Sequence, residues 1–377
     1  MRVFLILTLS IFLIAVSASA DEWETFHGAA SLSGVSSSEI PATPSLLWRF
    51  DAGAPVCSTP VSGGGYIFFC NRRGEIFALN RAGQKVWMQT LVERPVAQRQ
   101  GGGAKFDAPL SCFDKLVLAV SRKGKLYALD AKTGIKKWSY DMNGSVRACP
   151  NMVPDVGVIV IDQSDGVLHC VNIETGKLRW ETDGVERSDG TPSSDGGWVV
   201  FGSCAAALHI YSASDGTHIG DIEIDEESQI AGGVAISKDS VFAGTYVGAL
   251  VRADLKSMKI VWRNTDAGDQ SFATPAVTDD KVIFSADDGF VRALDRATGK
   301  QIWKFDTAGL PTSPVVANGK VLVSADGVLF LLSIKDGRKI WSNEISDEIT
   351  SPAVVDGMII VGADDGTVTA FGKQDGR

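Results

Sequence analysis

Histidine is scarce in this chain. There are four in 377 residues, and no His-x-x-x-His or Ser/His/Asp spacing joins them. Neither a helical zinc site nor a nucleophile relay is written in the sequence. Basic residues do not outnumber acidic ones: 36 Lys and Arg stand against 45 Asp and Glu, for a net charge of −9 with no basic cluster. That balance argues against nucleic acid and against anionic lipid surfaces as partners. The alternating oxygen ligands of an EF-hand loop are missing. The turns Asp287-Asp288-Gly289, Asp364-Asp365-Gly366 and Ser164-Asp165-Gly166 therefore read as hairpin chemistry, and no metal site is expected. Long helical periodicities are also lacking, and beyond residue 20 no apolar run reaches the ~18 residues of a membrane span.

What is present begins with a leader. Arg2 precedes the apolar run Val3–Val16, and Ala18-Ser19-Ala20 supplies a small-residue cleavage site, so residues 1–20 read as a signal peptide with Asp21 as the new N-terminus. Arg2 is the leader's one charge, so its removal takes the net charge from −9 to −10. No cysteine adjoins the cleavage point, so no lipid anchor is expected. The mature chain is expected to be exported, periplasmic or extracellular, soluble and monomeric. Residues 21–44 read as an N-terminal extension ahead of one repeated domain, 45–377.

The repeat is the informative feature. Ala128-Leu-Asp-Ala-Lys-Thr-Gly-Ile-Lys-Lys-Trp138 returns as Ala293-Leu-Asp-Arg-Ala-Thr-Gly-Lys-Gln-Ile-Trp303. Weaker copies place the turn glycine at 83, 134, 176, 216, 299, 337 and 376, with Met258 in its place once. The tryptophan four residues later is Trp87, Trp138, Trp180, Trp262, Trp303 and Trp341, with Gly220 in its place once. Units of 38–51 residues that cannot bury an apolar face alone must stack. Each reads as four short strands: in Thr274–Trp303 the turns at Asp279-Asp280, Asp287–Gly289 and Arg296–Gly299 separate apolar runs.

Such a unit is a propeller blade. The expected fold is all-β, an eight-bladed β-propeller of four-stranded antiparallel blades. The last unit stops at Arg377 without its fourth strand and tryptophan, while Ser45–Arg49 carries an orphaned strand with Trp48. Trp48 lies 12 residues ahead of Pro60, the same distance as Trp138 to Pro150. The N-terminal strand is thus expected to complete the last blade and close the ring. Trp48, Trp87, Trp138, Trp180, Trp262, Trp303 and Trp341 are assigned to docking one blade on the next.

The Ala-x-Asp-x-x-Thr-Gly-x-x-x-Trp signature resembles the pyrroloquinoline-quinone (PQQ) repeat over about residues 45–377. The prefix Trp23-x-x-Phe26-x-Gly28 with Gly34-Val35-Ser36 also resembles the start of exported bacterial proteins of that class. The resemblance implies an eight-bladed propeller of one of two kinds: quinoprotein dehydrogenases, or non-catalytic BamB-like envelope proteins. The dehydrogenase kind implies PQQ with calcium and a disulfide between adjacent cysteines. Here Cys57, Cys70, Cys112, Cys149, Cys170 and Cys204 include no adjacent pair. The reading is therefore a BamB-like, non-enzymatic scaffold with protein partners in the cell envelope and no cofactor. A quinone-dependent dehydrogenase or a small-molecule sensor is the alternative. The lipid-attachment cysteine of BamB is a feature this sequence departs from.

Two local features remain. Export permits disulfides, and Cys57 and Cys70 flank the hairpin through Gly63-Gly64-Gly65. A Cys57–Cys70 bridge is one reading and small buried thiols the other. The distance from Trp to Pro is 11–13 residues in the other complete units, but Trp87 to Pro109 is 22. The insertion, about 91–106, carries Arg94, Arg99 and Lys105 against Glu93 alone, and a long basic loop on a rigid ring is the candidate partner-binding element. His169 and His209 share one repeat position with Tyr127 and read as structural.

Overall fold

Each repeat forms one antiparallel sheet of four strands, laid out in chain order from the ring's axis outward. The computed structural model describes residues 21–91, 104–225 and 229–374, and among these there is no helix. In the first blade the strands are Val61–Gly63, Tyr66–Cys70, Glu75–Asn80 and Lys85–Thr90. Eight such sheets make an eight-bladed β-propeller. The last contains Ala353–Val355, Met358–Gly362 and Thr367–Gly372, and its outermost strand is Ser45–Asp51, which pairs antiparallel with Thr367–Gly372. The N-terminal strand closes the ring as the orphaned Trp48 implied, and no blade is left with an open flank.

The two middle strands of each blade are buried on both faces and are written as apolar runs, such as Ile67-Phe68-Phe69 and Val117-Leu118-Ala119. The outermost strand alternates, as Lys85–Thr90 does. The core accordingly lies between blades. One cluster joins Phe68 and Ile76 of the first blade to Leu110 and Val117 of the second. Another joins the seventh, eighth and first blades across the closure point.

The repeat motif is a device for docking neighbours. In the turn, Asp130 Oδ1 accepts from Thr133 N at 2.9 Å and from its Oγ1 at 2.8 Å, and Asp295 holds Thr298 in the same way. The following glycine has positive φ, +71° at Gly134 and +70° at Gly299. Its bare face seats the tryptophan of the preceding blade. A Cβ at Gly134 would meet the Trp87 ring at 2.8 Å, and one at Gly299 the Trp262 ring at 2.6 Å. The indole then donates to a turn carbonyl: Trp48 to Arg81, Trp87 to Ala131, Trp138 to Ile173, Trp262 to Arg296 and Trp303 to Ile334, at 2.8–3.0 Å. A bulge just before the tryptophan, as between Lys136 and Trp138, aims it at that neighbour.

The segment set apart in the sequence as an N-terminal extension lies inside the ring. Residues 21–38 circle the inner strands and touch all eight blades in turn. Asp21 pairs with Asp356 of blade 8, and the carbonyls of Trp23 and Glu24 accept from Ser62 and Cys112 of blades 1 and 2. Ala30 O accepts from Asn151 and Ser194 of blades 3 and 4. Ser31, Ser33 and Gly34 accept from Ile236, Val277 and Val316 of blades 5 to 7. Val35–Ser36 adds a parallel strand to Val315–Ala317, and Ser38 returns to Gly357 of blade 8. Trp23, Thr25, His27, Leu32 and Ile40 are buried. The segment plugs the axial channel toward the face that carries the first hairpin of each blade.

Candidate functional site

The plug makes the molecule's two faces unlike. On the hairpin face the channel is stopped, and the cleft that remains, about 450 Å³, is walled by plug residues Ala29–Ser31 with Val153, Pro154 and the hairpin glycines Gly196 and Gly197. On the other face lie the loops between blades and the turns between second and third strands. The described flanks of the insertion after Trp87, Leu91 and Ala104–Phe106, belong to that loop face. Arg94 and Arg99 lie outside the described residues. Lys105 is exposed, and its flanks are anchored: Ala104 N donates to Leu91 O at 2.8 Å, and Leu91, Ala104 and Phe106 are buried with the first and second blades.

The turns beside the insertion are also basic. Arg72 and Arg73 occupy the turn of blade 1, Arg122 and Lys123 that of blade 2, and Arg147 the loop beyond; all five are exposed. Lys105 O accepts from Arg122 N, and Arg122 O accepts from Val146 N, so these segments adjoin. Asp107 pairs with Arg122 within the group. From the loop after blade 5 round to blade 8 the same face turns acidic, with Asp269, Asp306, Asp326, Asp347, Glu348 and Asp365 all exposed. This acidic arc meets the basic turns at the closure point, where Glu348 and Arg72 line one cleft. On that side Tyr246 and Phe272 are half exposed and packed edge to face, ring centroids 6.0 Å apart. The one-dimensional sequence showed the basic insertion but not the basic turns, because Arg72-Arg73 and Arg122-Lys123 are short pairs 50 residues apart that only the ring brings together.

All six cysteines are free thiols, which corrects the Cys57–Cys70 bridge. The hairpin pairs Gly63 with Tyr66 and Ser62 with Ile67, so it turns at Gly64-Gly65, and Cys57 falls outside the inner strand, on the exposed approach to it. Cys70 points inward to Ser58 Oγ, 3.3 Å away. Burial pushes the Cys70 and Cys170 thiols up to about 12, and it raises Cys112 and Cys149 too. None of these four is a nucleophile at neutral pH.

The scarce histidines hold a surprise for the sequence reading. Ser203 Oγ lies 2.8 Å from His209 Nε2, and His209 Nδ1 lies 2.8 Å from Asp221 Oδ1. This is the order of a nucleophile relay, assembled in blade 4 from the turn after Trp198–Gly202 and the two strands Ala207–Ser212 and His218–Glu223. Ser203 is wholly buried, however, and its oxygen already accepts from Ala205 N at 3.0 Å. The neighbouring cleft is lined by Glu181, Asp183, Tyr211, His218 and Asp221 and does not reach it. The arrangement works as a strut that fixes the turn, since a relay needs an accessible oxygen. His169 accepts a separate partner, Tyr140 Oη at 3.1 Å, and burial lowers its affinity for a proton.

The quinone cofactor implied by the repeat does not fit these residues. Among the described residues no group of three or more His, Cys, Asp and Glu is placed to hold a metal ion. The thiols are single and separated, and the channel wall of Ser62, Ser111 and Asn151 is engaged by the plug.

Comparison with known proteins agrees with this geometry. The family described as outer membrane protein assembly factor BamB matches residues 37–203, 206–311 and 287–377. The chain belongs to the BamB family. BamB of Shewanella oneidensis is 22% identical over 377 aligned positions, covering 84% of this chain and 94% of that protein. BamB of Burkholderia pseudomallei is 24% identical, covering 74% of each. The crystal structure of BamB from Moraxella catarrhalis superposes with a TM-score of 0.74 at 21% identity, covering 89% of this chain and 99% of that one. The quinohemoprotein alcohol dehydrogenase of Comamonas testosteroni shares the fold, with a TM-score of 0.75 at 14% identity. The aligned sequence spans 27% of that enzyme's length.

Proposed function

We propose that this BamB-family propeller is an exported, non-enzymatic scaffold that holds a protein partner of the cell envelope on its loop face. The observation that carries this reading is the loop face's division into a basic arc over blades 1 and 2, continued by Arg147, and an acidic arc from the loop after blade 5 to blade 8. A surface of both signs selects a partner with a complementary pattern, and fixes its orientation, more than it adds raw affinity. A uniformly anionic membrane would meet the acidic arc unfavourably. The hairpin face has its axial channel stopped by the plug, whereas the loop face carries the anchored flanks of the insertion and the basic turns. The curated relatives are named as outer membrane assembly factors, and an envelope protein complex is the setting this scaffold would serve.

The test is affinity capture from a native envelope fraction. Replacing 92–103 by a short Gly-Ser link keeps the Leu91–Ala104 pairing, and Arg72→Glu with Arg73→Glu reverses the adjacent turn. Both variants should keep the wild-type circular dichroism and lose the captured partner. Undiminished capture by both would refute the assignment. Addition of PQQ and calcium should give no quinone absorbance band and no dye reduction.

A further inference from the structure

The N-terminal residue of the plug sits in a site shaped for a chain end. Asp21 N donates to Asp356 Oδ1 at 2.9 Å, and Asp356 N donates back to Asp21 O at 3.3 Å. The Asp21 carboxylate folds onto the far end of the same segment, accepting from Ser36 Oγ at 2.6 Å, Ser38 N at 2.9 Å and Ser38 Oγ at 2.7 Å. The first residue of the plug thereby clasps its last, and the loop becomes a ring inside the propeller. Beside it, Glu22 takes Arg81 at 2.6 Å and Ser62 Oγ at 2.7 Å, while Arg81 Nε reaches Asp356 Oδ2 at 3.3 Å. Arg81 is thus shared by two carboxylates, those of Glu22 and Asp356, while the Asp21 carboxylate is held by serine hydroxyls and a backbone amide. Three carboxylates gather there and Arg81 is the one cation paired to them among the described residues, so positive charge is in deficit where the Asp21 nitrogen lies.

The sequence supplies the missing charge. Ala18-Ser19-Ala20 is a small-residue cleavage signal whose product begins at Asp21. We propose that hydrolysis of the Ala20–Asp21 bond by a signal-cleaving peptidase creates an α-ammonium that Asp356 holds, so that processing completes the plug. Water delivers its hydroxyl to the Ala20 carbonyl carbon and a proton to the departing amine, which takes a second proton from solvent. The resulting group has three N–H donors where the peptide had one. Its positive charge converts the Asp21–Asp356 contact into a charge-assisted pair. The inference rests on the reading of the chain as exported.

Two measurements separate the proposal from that reading. The full chain is expressed in a diderm bacterium and the intact mass of the envelope-soluble protein is determined. A mass beginning at Asp21 is expected. Export with cleavage at another bond overturns the proposal and leaves the export reading standing, whereas retention in the cytoplasm with the leader attached overturns both. The second measurement compares the chain starting at Asp21 with one carrying an extra Gly-Ser ahead of it, each also as Asp356→Asn. Amide exchange over 22–36 should be about 2- to 5-fold faster in the extended chain, the size of a partly exposed ion pair. The difference should vanish in the Asp356→Asn background, and also as pH rises past the α-amino group's titration. Equal exchange in the two parent chains, or an unchanged difference with Asp356→Asn, overturns it.

Discussion

The end of the Met258 side chain occupies the space that a side chain at Gly220 would need: a Cβ built on Gly220 meets Met258 Cε at 2.9 Å. Elsewhere around the ring a tryptophan of one blade lies on the bare glycine of the next, as Trp180 does on Gly216. Between blades 4 and 5 the large and small members have changed sides. The two departures from the repeat are thus one exchange, with Met258 adopting a φ of +55° to fill the gap from the opposite blade. A flexible thioether suits an irregular space of this kind.

This relationship predicts non-additivity. Gly220→Trp alone overpacks the junction and should cost roughly 1–3 kcal/mol. Gly220→Trp with Met258→Gly rebuilds the ordinary pair, with a coupling energy on the order of 1–3 kcal/mol. Urea unfolding of the two single variants and the double variant measures it. Additive losses would show that the two positions do not compensate one another.

The ordinary junctions should behave in the opposite manner. Trp303, the most buried of the docking tryptophans at 7% exposure, should lose roughly 3–5 kcal/mol on Trp303→Ala through the cavity left behind. Gly299→Ala should also destabilise, because its φ is +70° and the new methyl would meet Trp262 at 2.6 Å. Equilibrium unfolding checks both. A loss below about 0.5 kcal/mol, the scale of a neutral surface change, would contradict the docking geometry.

How much was legible follows from which contacts are periodic. The blade count and the closure by Trp48 could be read because Thr-Gly and Trp recur in register, each copy facing the same neighbour. The plug could not, because residues 21–38 meet each blade through a different contact and leave no period. Only the small residues hint at it: Gly28, where a Cβ would meet the Trp23 ring at 2.8 Å, and Gly34, packed on His27. The basic arc of the loop face was half visible, since Lys105 lies in a basic insertion legible in the sequence while Arg72 and Arg122 reach the same arc through the fold. The Ser203–His209–Asp221 chain was hidden because its members stand on a turn and two separate strands with no motif spacing.

That chain makes a prediction that separates a strut from a catalyst. Ser203→Ala leaves His209 Nε2 and Ala205 N without their partner in a buried place, and should cost about 1–3 kcal/mol. The wild-type protein should meanwhile take no label from a fluorophosphonate, because the Ser203 oxygen is enclosed. Labelling that disappears in Ser203→Ala would show a reactive serine and overturn the structural assignment.

The plug should respond to pH through His27. Both ring nitrogens face carbonyl oxygens, Nδ1 at 2.7 Å from Leu32 O and Nε2 at 2.8 Å from Pro314 O. Two acceptors favour the protonated ring, but complete burial is the larger influence and lowers the histidine below its ordinary 6.5. The folded protein therefore binds the proton less readily than the unfolded chain. Stability from this residue is full above pH 6.5 and is lost as the pH falls from there toward the folded value. His169, lowered by burial as well, contributes with the same sign. The loss from one such group cannot exceed about 1.4 kcal/mol per pH unit. His27→Gln keeps a donor to a carbonyl and removes the titration. Exchange of the Gly34 and Val316 amides, which bond His27 O and Gly34 O, should accelerate between about pH 6.5 and 5 in the wild type. In His27→Gln it should stay flat after correction for intrinsic exchange. Identical pH profiles would place the titrating group elsewhere.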